Sequence, residues 1–282
     1  LVVIGLVILY STSAYNGQVK FHDSFYYLKK QAFATVLGIV LMLFVAGMDY
    51  HIWQRLAVFG YLAAVALSVA VMLFGREING SKRWLALGPF SFQPSEFAKV
   101  ALILFLADLV TKNVKTIGKM WTLCRIMFWI LPIVGLVGAS NLSTAIIILG
   151  IGVILIFVAS PKYAQFALMG IAGACFMGIF LALENYRLER LAIWRNPEKY
   201  EKGYQTLQGL YAIGSGGVFG VGIGNSVQKL GFVPEAQNDM IFSIICEELG
   251  LAGAGIIVFL FLLLIWRFFL IASGSRDLFG AL

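Results

Sequence analysis

The sequence predicts an all-α, polytopic helical membrane protein. Of its 282 residues, 60% are hydrophobic and 12% are charged, whereas about 25% of the residues of a soluble domain are charged. The mean hydropathy is +0.89. Several apolar runs reach the roughly 17 residues that a helix needs to cross a bilayer. Alternating ten-residue segments do not occur in the sequence, so a membrane β-barrel is excluded.

Apolar segments in chain order predict about eight membrane-spanning helices. They cover residues 1–14, 31–48, 56–74, 94–110, 126–137, 139–159, 164–183 and 240–269. The first run lacks an initial Met and a basic leader, so we expect a membrane helix rather than a signal peptide. We also expect both ends to continue in a longer protein.

The connections between these helices differ in character. Residues 11–30 are predicted to be a polar connection with interfacial Tyr and Phe, and residues 75–95 a compact loop. Pro94 suits the first position of the fourth helix, with Gln93 as its N-cap. Glu96 and Lys99 are three residues apart and should share a face of that helix.

A long polar segment, residues 184–239, separates the seventh and eighth helices. It is much longer than an ordinary connection, and its aromatic and β-branched residues argue against disorder. We predict an outward-facing catalytic loop. The distribution of basic residues supports this orientation only in part, because Arg76, Lys82 and Arg83 would then also lie outside. The opposite orientation therefore stays open.

The composition and the short motifs also limit the classes of ligand that the protein is expected to bind. The net charge of +7 suits anionic lipid headgroups or phosphate. Three scattered cysteines and two isolated histidines show no disulfide framework and no metal-ligand spacing. The segment GSGGVFGVGIGN matches neither nucleotide-binding glycine motif. Nucleic-acid signatures are absent from the sequence, so we predict no nucleic-acid partner.

Asp239 stands where the long segment meets the eighth helix. Two interpretations are open: an acid stabilised by the dipole at the start of a helix, or a general base at the membrane edge. The rigid turn at Pro234 and the second carboxylate of Glu235 favour the second interpretation.

Ionisable residues inside the apolar helices are costly and often mark a site or pathway. Glu96 and Lys99 are one such pair, and a structural ion pair is the alternative. Glu247 and Glu248 lie in the eighth helix, where structural hydrogen bonding is favoured over catalysis.

Three blocks carry a resemblance to a known family. They read NGSKRWLALGPFSFQPSEFAK, GYQTLQGLYAIGSGG and GNSVQKLGFVPEAQNDMIFSIICEELG. Together they resemble the shape, elongation, division and sporulation (SEDS) glycosyltransferases of the RodA, FtsW and SpoVE type, and more closely the FtsW/SpoVE branch. The resemblance implies one SEDS-type transmembrane domain over residues 1–282, with about ten helices in the family and the C-terminal ones missing here.

The resemblance also implies an activity. The family polymerises lipid II, an undecaprenyl-diphosphate-linked substrate, into β-1,4 glycan strands at the outer face of the bacterial plasma membrane. It implies a class B penicillin-binding protein as transpeptidase partner and contact with membrane lipids. The role would be cell wall synthesis during division or sporulation.

Residue by residue, the family's key aspartate matches Asp239, and the Glu and Lys of its QPSExxK block match Glu96 and Lys99. Asp239 would accept a proton from the attacking sugar hydroxyl in an inverting displacement. The departing diphosphate needs positive charge, from Lys and Arg or from a divalent cation such as Mg or Mn. Candidate substrate-binding residues are Arg83, Trp84, Gln93, Ser95, Glu96, Lys99, Arg190, Gln205, Lys229 and Glu235, with Pro234, Glu247 and Glu248 in supporting positions.

The chain departs from the family pattern in two places. Ala139, Ser140 and Asn141 replace an acidic residue or Gln followed by Pro-Asp, and Gln237 and Asn238 replace the usual His and Thr. A lipid II flippase, with its path along Glu96, Lys99, Glu247 and Glu248, is the alternative function. A noncatalytic scaffold for a transpeptidase is a third.

Overall fold

The computed structural model describes residues 1–78, 81–87, 90–160, 162–167, 170 and 192–282. The helices are α1 (Val2–Phe21), α2 (Tyr26–Ala46), α3 (His51–Phe74), α4 (Pro94–Lys112), α5 (Met120–Gly138), α6 (Leu142–Ala159), α7 (Tyr204–Gly216), α8 (Ile241–Ser273) and α9 (Leu278–Ala281). The strands are β1 (Arg76–Ile78), β2 (Ser81–Leu87) and β3 (Phe90–Phe92). The all-α prediction is confirmed for the membrane-spanning part.

Six of the described helices are long and apolar enough to cross a membrane: α1, α2, α3, α5, α6 and α8. The fourth helix carries Glu96, Lys99, Asp108 and Lys112 within 19 residues, which lowers its apolar character. The predicted seventh helix, residues 164–183, lies mostly outside the described residues, although 163–167 are helical. The predicted count of eight crossings therefore stays a prediction.

The predicted ends of α1 and α2 are wrong. The first helix continues to Phe21, and the second begins at Tyr26, so most of the predicted polar connection over residues 11–30 is helical. The length of an apolar run indicates which part of a helix crosses the hydrocarbon layer. The helix itself can continue beyond that layer into the polar boundary. The C-cap residue His22 ends α1 in the left-handed conformation, with φ 55°.

Residues 75–95 are not only a loop. They contain a three-stranded antiparallel sheet in which Arg76 pairs with Trp84 and Leu85 pairs with Phe92. The β-branched and aromatic residues of this stretch suit a strand, but short strands leave little periodicity to detect. The start of α4 agrees with the prediction, because Pro94 occupies its first turn after Gln93.

The long polar segment also has more structure than predicted. It contains two 3₁₀ turns, Pro197–Lys199 and Glu201–Gly203, and then α7. Residues 217–240 follow without regular secondary structure. Glycines at five positions of α7 and its ends, together with polar side chains, conceal the helical period of this stretch.

The predicted eighth helix is interrupted. Gly250 has φ 67° and ψ −174°, a conformation that is essentially confined to glycine, so α8 consists of two helices joined at this residue. The break frees backbone groups that form hydrogen bonds with residues 217–222. Val221 and Gly222 donate to the carbonyls of Glu247 and Glu248 over 3.0 and 2.9 Å, and the amides of residues 251 and 252 donate to the carbonyls of residues 217 and 218. Irregular backbone is tolerated in a membrane protein where protein groups pair with it in this way.

The described residues belong to two compact units. One comprises Leu1–Gly47 and Cys175–Phe269, and the other comprises Met48–Ala174 and Leu270–Leu282. The interpretation of residues 1–282 as a single domain stays a prediction. In the second unit, α3, α4, α5 and α6 pack around buried aliphatic side chains such as Leu102, Leu106 and Ile130. The first unit has two smaller apolar clusters, one around Ile245 and one around Ile244.

Candidate active site

Asp239 lies in the turn directly before α8, and its side chain is exposed. The residues on either side face a cavity of about 630 Å³ in the same unit, to which Gln237, Asn238 and Ile241 contribute. Most of this cavity lies between α1 and α2, and its walls are chiefly apolar. Asp239 itself is not a lining residue. The carboxylate is therefore exposed, and residues next to it in sequence line an apolar cleft.

Side chains within the turn before Asp239 stabilise the conformation of that turn. Glu235 has a positive φ of 50°, and its carboxylate accepts from the side-chain amides of Asn238 at 2.7 Å and Gln237 at 3.4 Å. Gln237 is buried and accepts from Asn16 of α1 at 2.8 Å. Gln237 and Asn238, which together form the second departure from the family pattern, thus both support the geometry of this turn.

Other predicted residues of this unit have structural contacts. The Gln205 side chain donates to the carbonyl of Pro234 over 3.5 Å, which connects α7 to the turn. Pro234 and Glu235 are exposed. Arg190 lies outside the described residues.

Lys229 is buried in an ion pair. Its Nζ lies 2.6 Å from Oε1 of Glu248 and 3.0 Å from Oγ of Ser11 in α1. The Ser11 hydroxyl in turn donates to the Glu248 carboxylate over 2.7 Å. The positive charge of Lys229 is therefore already matched inside the protein.

Glu247 is buried beside this pair. It accepts from the Ser226 hydroxyl and from the backbone amides of Val227 at 3.0 Å and Gln228 at 3.4 Å. The interpretation of Glu247 and Glu248 as structurally satisfied residues agrees with this arrangement. Sequence reasoning missed Ser11 and Ser226. The one available signal was a serine within the apolar run of α1.

In the other unit, Arg83, Gln93 and Ser95 line a small cavity at the start of α4. Arg83 is exposed, and its Nε donates to the carbonyl of Ser140 over 3.1 Å. Asn141 caps α6 by accepting from the amide of Thr144 at 3.3 Å. The departure from the family pattern over residues 139–141 therefore borders three of the predicted substrate-binding residues.

Glu96 and Lys99 share a face of α4, as predicted, and form an ion pair of 2.7 Å within that helix. The Glu96 side chain is 58% exposed and that of Lys99 is 26% exposed, so both remain accessible. Trp84 is half-buried in β2. The structure thus leaves Arg83, Glu96 and Lys99 as accessible charged groups in this unit.

The described residues do not fit a resident metal ion. Within them, no three His, Cys, Asp or Glu side chains come close enough together to hold one. Cys246 is buried, and Cys124 is exposed. We therefore assign no step of a reaction to a metal.

The chain is similar to known proteins over its whole length. The relative named stage V sporulation protein E, from Bacillus subtilis (strain 168), is 37% identical over 294 residues, which cover 100% of this chain and 78% of that protein. A probable peptidoglycan glycosyltransferase FtsW from Geobacter sp. (strain M18) is 33% identical and covers 98% of this chain and 77% of its own length.

Solved structures share the fold. A peptidoglycan synthase complex that coordinates polymerization and crosslinking matches with a TM-score of 0.75 and 27% identity, over 99% of this chain and 79% of that one. A mutant of the rod shape determining protein RodA from Thermus thermophilus matches with a TM-score of 0.66 and 26% identity, over 100% of this chain and 76% of that one.

A family model described as "cell cycle protein", for FtsW, RodA and SpoVE, matches residues 1–282. The match extends over the whole chain, and the relatives and solved structures point to the same family. This chain is therefore a member of the FtsW/RodA/SpoVE family of integral membrane proteins.

Proposed function

We propose that this protein is a peptidoglycan glycosyltransferase that polymerises lipid II into β-1,4 glycan strands for the cell wall. The observation that carries the proposal is the exposed carboxylate of Asp239 beside an apolar cleft between two membrane-spanning helices. A lipid-linked sugar has a polar reacting group and an apolar chain. The exposed carboxylate suits the reacting group, and the apolar cleft suits the chain. The relatives named as FtsW glycosyltransferases support the same activity.

The chemistry needs one displacement. The acceptor's 4-hydroxyl oxygen forms a bond to the anomeric carbon of the donor, and the bond from that carbon to the diphosphate oxygen breaks. The proton of the hydroxyl passes to the Asp239 carboxylate, and the lipid diphosphate leaves with the bonding electrons. Because the α-linked donor yields a β-linked product, a single inverting step with a general base suffices.

The leaving diphosphate needs cationic or hydrogen-bonding partners. Arg83 and Lys99 remain candidates from the sequence, together with Gln93 and Ser95, and both cations are accessible. Arg190 remains a candidate on sequence alone. Lys229 is different because its ammonium group is buried and paired, so we propose a structural role for it.

We place the protein in the bacterial plasma membrane, with residues 184–239 facing outward, where lipid II polymerisation takes place. A class B penicillin-binding protein is the proposed transpeptidase partner, because new glycan strands need crosslinking. The fold shared with a solved synthase complex of polymerization and crosslinking supports this partner.

The test is polymerisation of purified lipid II by the full-length protein in proteoliposomes, with and without a chelator. We expect Asp239→Asn to abolish polymer formation while the protein remains folded. Asp23→Asn is the matched control, because Asp23 lies in the α1–α2 connection, where its carboxylate pairs with Lys29 and accepts from the amide of Phe25.

Retained polymerisation in Asp239→Asn would refute the role of that residue. Lipid scrambling without polymer in the unmodified protein would instead favour the flippase. The structure does not favour a path along Glu247 and Glu248, since both carboxylates are buried and hydrogen-bonded.

A further inference from the structure

We propose that the buried cluster of Lys229, Glu248 and Ser11 positions Asp239 by fixing the segment that leads to it. We call residues 226–239 the base-bearing segment. The inference rests on the proposed function only for the role of Asp239. The anchoring of the segment rests on contacts that its residues make with α1, α7 and α8.

The first anchor is polar. Lys229 and Ser226 both belong to the base-bearing segment, and both contact the first part of α8: Lys229 through Glu248, and Ser226 through Glu247. Ser11 adds α1 to the same cluster. Charged hydrogen bonds are strong and directional where water is excluded. They therefore fix the start of the segment relative to two membrane-spanning helices.

The second anchor is apolar. Val233 and Ala236 are fully buried, and they pack with Ala212 of α7 and Ile244 of α8. The amide of Val233 donates to the carbonyl of Gln228 over 2.9 Å, so this contact follows directly from the position of the polar anchor.

The third anchor is the hydrogen bond from Asn16 of α1 to Gln237, two residues before Asp239. The amide of Asn238 donates to the carbonyl of Glu235 over 2.9 Å and closes the turn that contains Ala236 and Gln237. Asp239 follows this turn directly. Its backbone is thus determined by contacts on both sides, whereas its carboxylate remains exposed.

The interruption of α8 at Gly250 helps to hold the polar anchor in place. The carbonyls of Glu247 and Glu248 accept from the amides of Val221 and Gly222, so the two glutamates are fixed by their backbone as well as by their side chains. The polar anchor therefore rests on rigid backbone and can transmit position to the segment. A catalytic group displaced by about 1 Å can lose about a hundredfold in rate.

The experiment compares the full-length protein with the double variant Lys229→Met/Glu248→Leu in nanodiscs. Replacing a buried ion pair by apolar residues of similar volume often preserves stability, so this variant separates positioning from folding. Lys29→Met, at an exposed pair in the α1–α2 connection, is the control. The two readouts are hydrogen exchange over residues 227–240 and the kcat and KM for lipid II.

We expect faster exchange over residues 227–240 with unchanged exchange in α4. We also expect kcat to fall by about ten- to a hundredfold with little change in KM. In the Asp239→Asn background, the double variant should lower any residual rate no further, because both changes then act through one group.

Unchanged exchange over residues 227–240 would overturn the anchoring, and a wild-type kcat in the double variant would overturn the positioning role. Failure of the unmodified protein to polymerise lipid II, together with faster exchange in the variant, would refute the proposed function and support the anchoring.

Discussion

Lys229 Nζ lies 2.6 Å from Glu248 Oε1, with only 7% and 3% of the two side chains exposed. Taking both charges out of water is costly, and their attraction offsets that cost only when the remaining hydrogen-bonding groups are also satisfied. Ser11 meets this condition by accepting from Lys229 and donating to Glu248. Removing either charge alone should therefore be much worse than removing both.

We predict that Lys229→Met alone destabilises the protein by about 3–5 kcal/mol, because it leaves the Glu248 carboxylate buried without a cation. The measurement is thermal or denaturant unfolding in detergent. The double variant with Glu248→Leu should recover most of the loss, and Lys29→Met should leave stability unchanged. A single variant as stable as the parent protein would show that Glu248 is neutral or hydrated in the fold.

Sequence patterns predicted the apolar helices well and the connections poorly. Hydropathy detects the part of α1 that crosses hydrocarbon, but not its continuation to Phe21. It cannot detect the break at Gly250, because the helices on both sides are apolar and only a pairing partner from residues 217–222 makes the break possible. Because residues 217–222 are distant from Gly250 in sequence, local sequence patterns do not indicate this pairing.

We predict that Gly250→Ala costs about 4 kcal/mol or more, or prevents folding. A Cβ at this position would overlap the backbone of Val218 and Gly220, and the positive φ disfavours any side chain. Gly255→Ala is the matched control in the same helix, where a Cβ would meet nothing within 4 Å. It should be neutral or slightly stabilising because alanine favours helix. The yield and melting temperature of the purified variants measure both effects, and a Gly250→Ala protein as stable as the parent would contradict the observed break.

Sequence patterns indicated the place of some residues of the candidate site and not of others, for a physical reason. Asp239 was predicted because it follows a distinctive motif and ends a long polar segment, and its role as general base stays a prediction. Lys229 was predicted as a substrate-binding cation, because a sequence shows charge but not burial, whereas the structure pairs it with Glu248 in the interior. Its partners lie 218 and 19 residues away, so only the folded structure shows that the charge is matched.

At the start of α6, we predict that Asn141→Ala destabilises the protein by about 1 kcal/mol, because it removes the side chain that accepts from the Thr144 amide. Asn141→Asp should be at least as stable as the parent protein, because a carboxylate also caps the helix and interacts favourably with its dipole. Equal losses in both variants would show that the cap does not depend on hydrogen-bond acceptance. Unfolding midpoints of the three proteins provide the comparison.

Asp277 lies between α8 and α9, and we predict that its stabilising contribution is sensitive to acid. Its Oδ1 accepts from the Gly280 amide at 2.7 Å, and its Oδ2 accepts from the Tyr50 hydroxyl at 3.0 Å. The Gly280 hydrogen bond, followed by those from Tyr50 and His51, holds the pKa of this carboxyl below its ordinary value of 3.8. Because the folded pKa is the lower one, the ionised cap stabilises α9 at neutral pH, and this contribution is lost as the pH falls through the folded pKa.

The Gly280 amide proton in ¹⁵N-glycine-labelled protein should therefore titrate with a midpoint below 3.8. Asp277→Asn should abolish this titration and identify the resonance, while the asparagine side chain still caps the short helix. A midpoint at or above the ordinary aspartate value would mean that the Gly280 hydrogen bond does not favour the ionised carboxylate. In that case α9 would not depend on the charge of Asp277, and acidification would leave its fold unchanged.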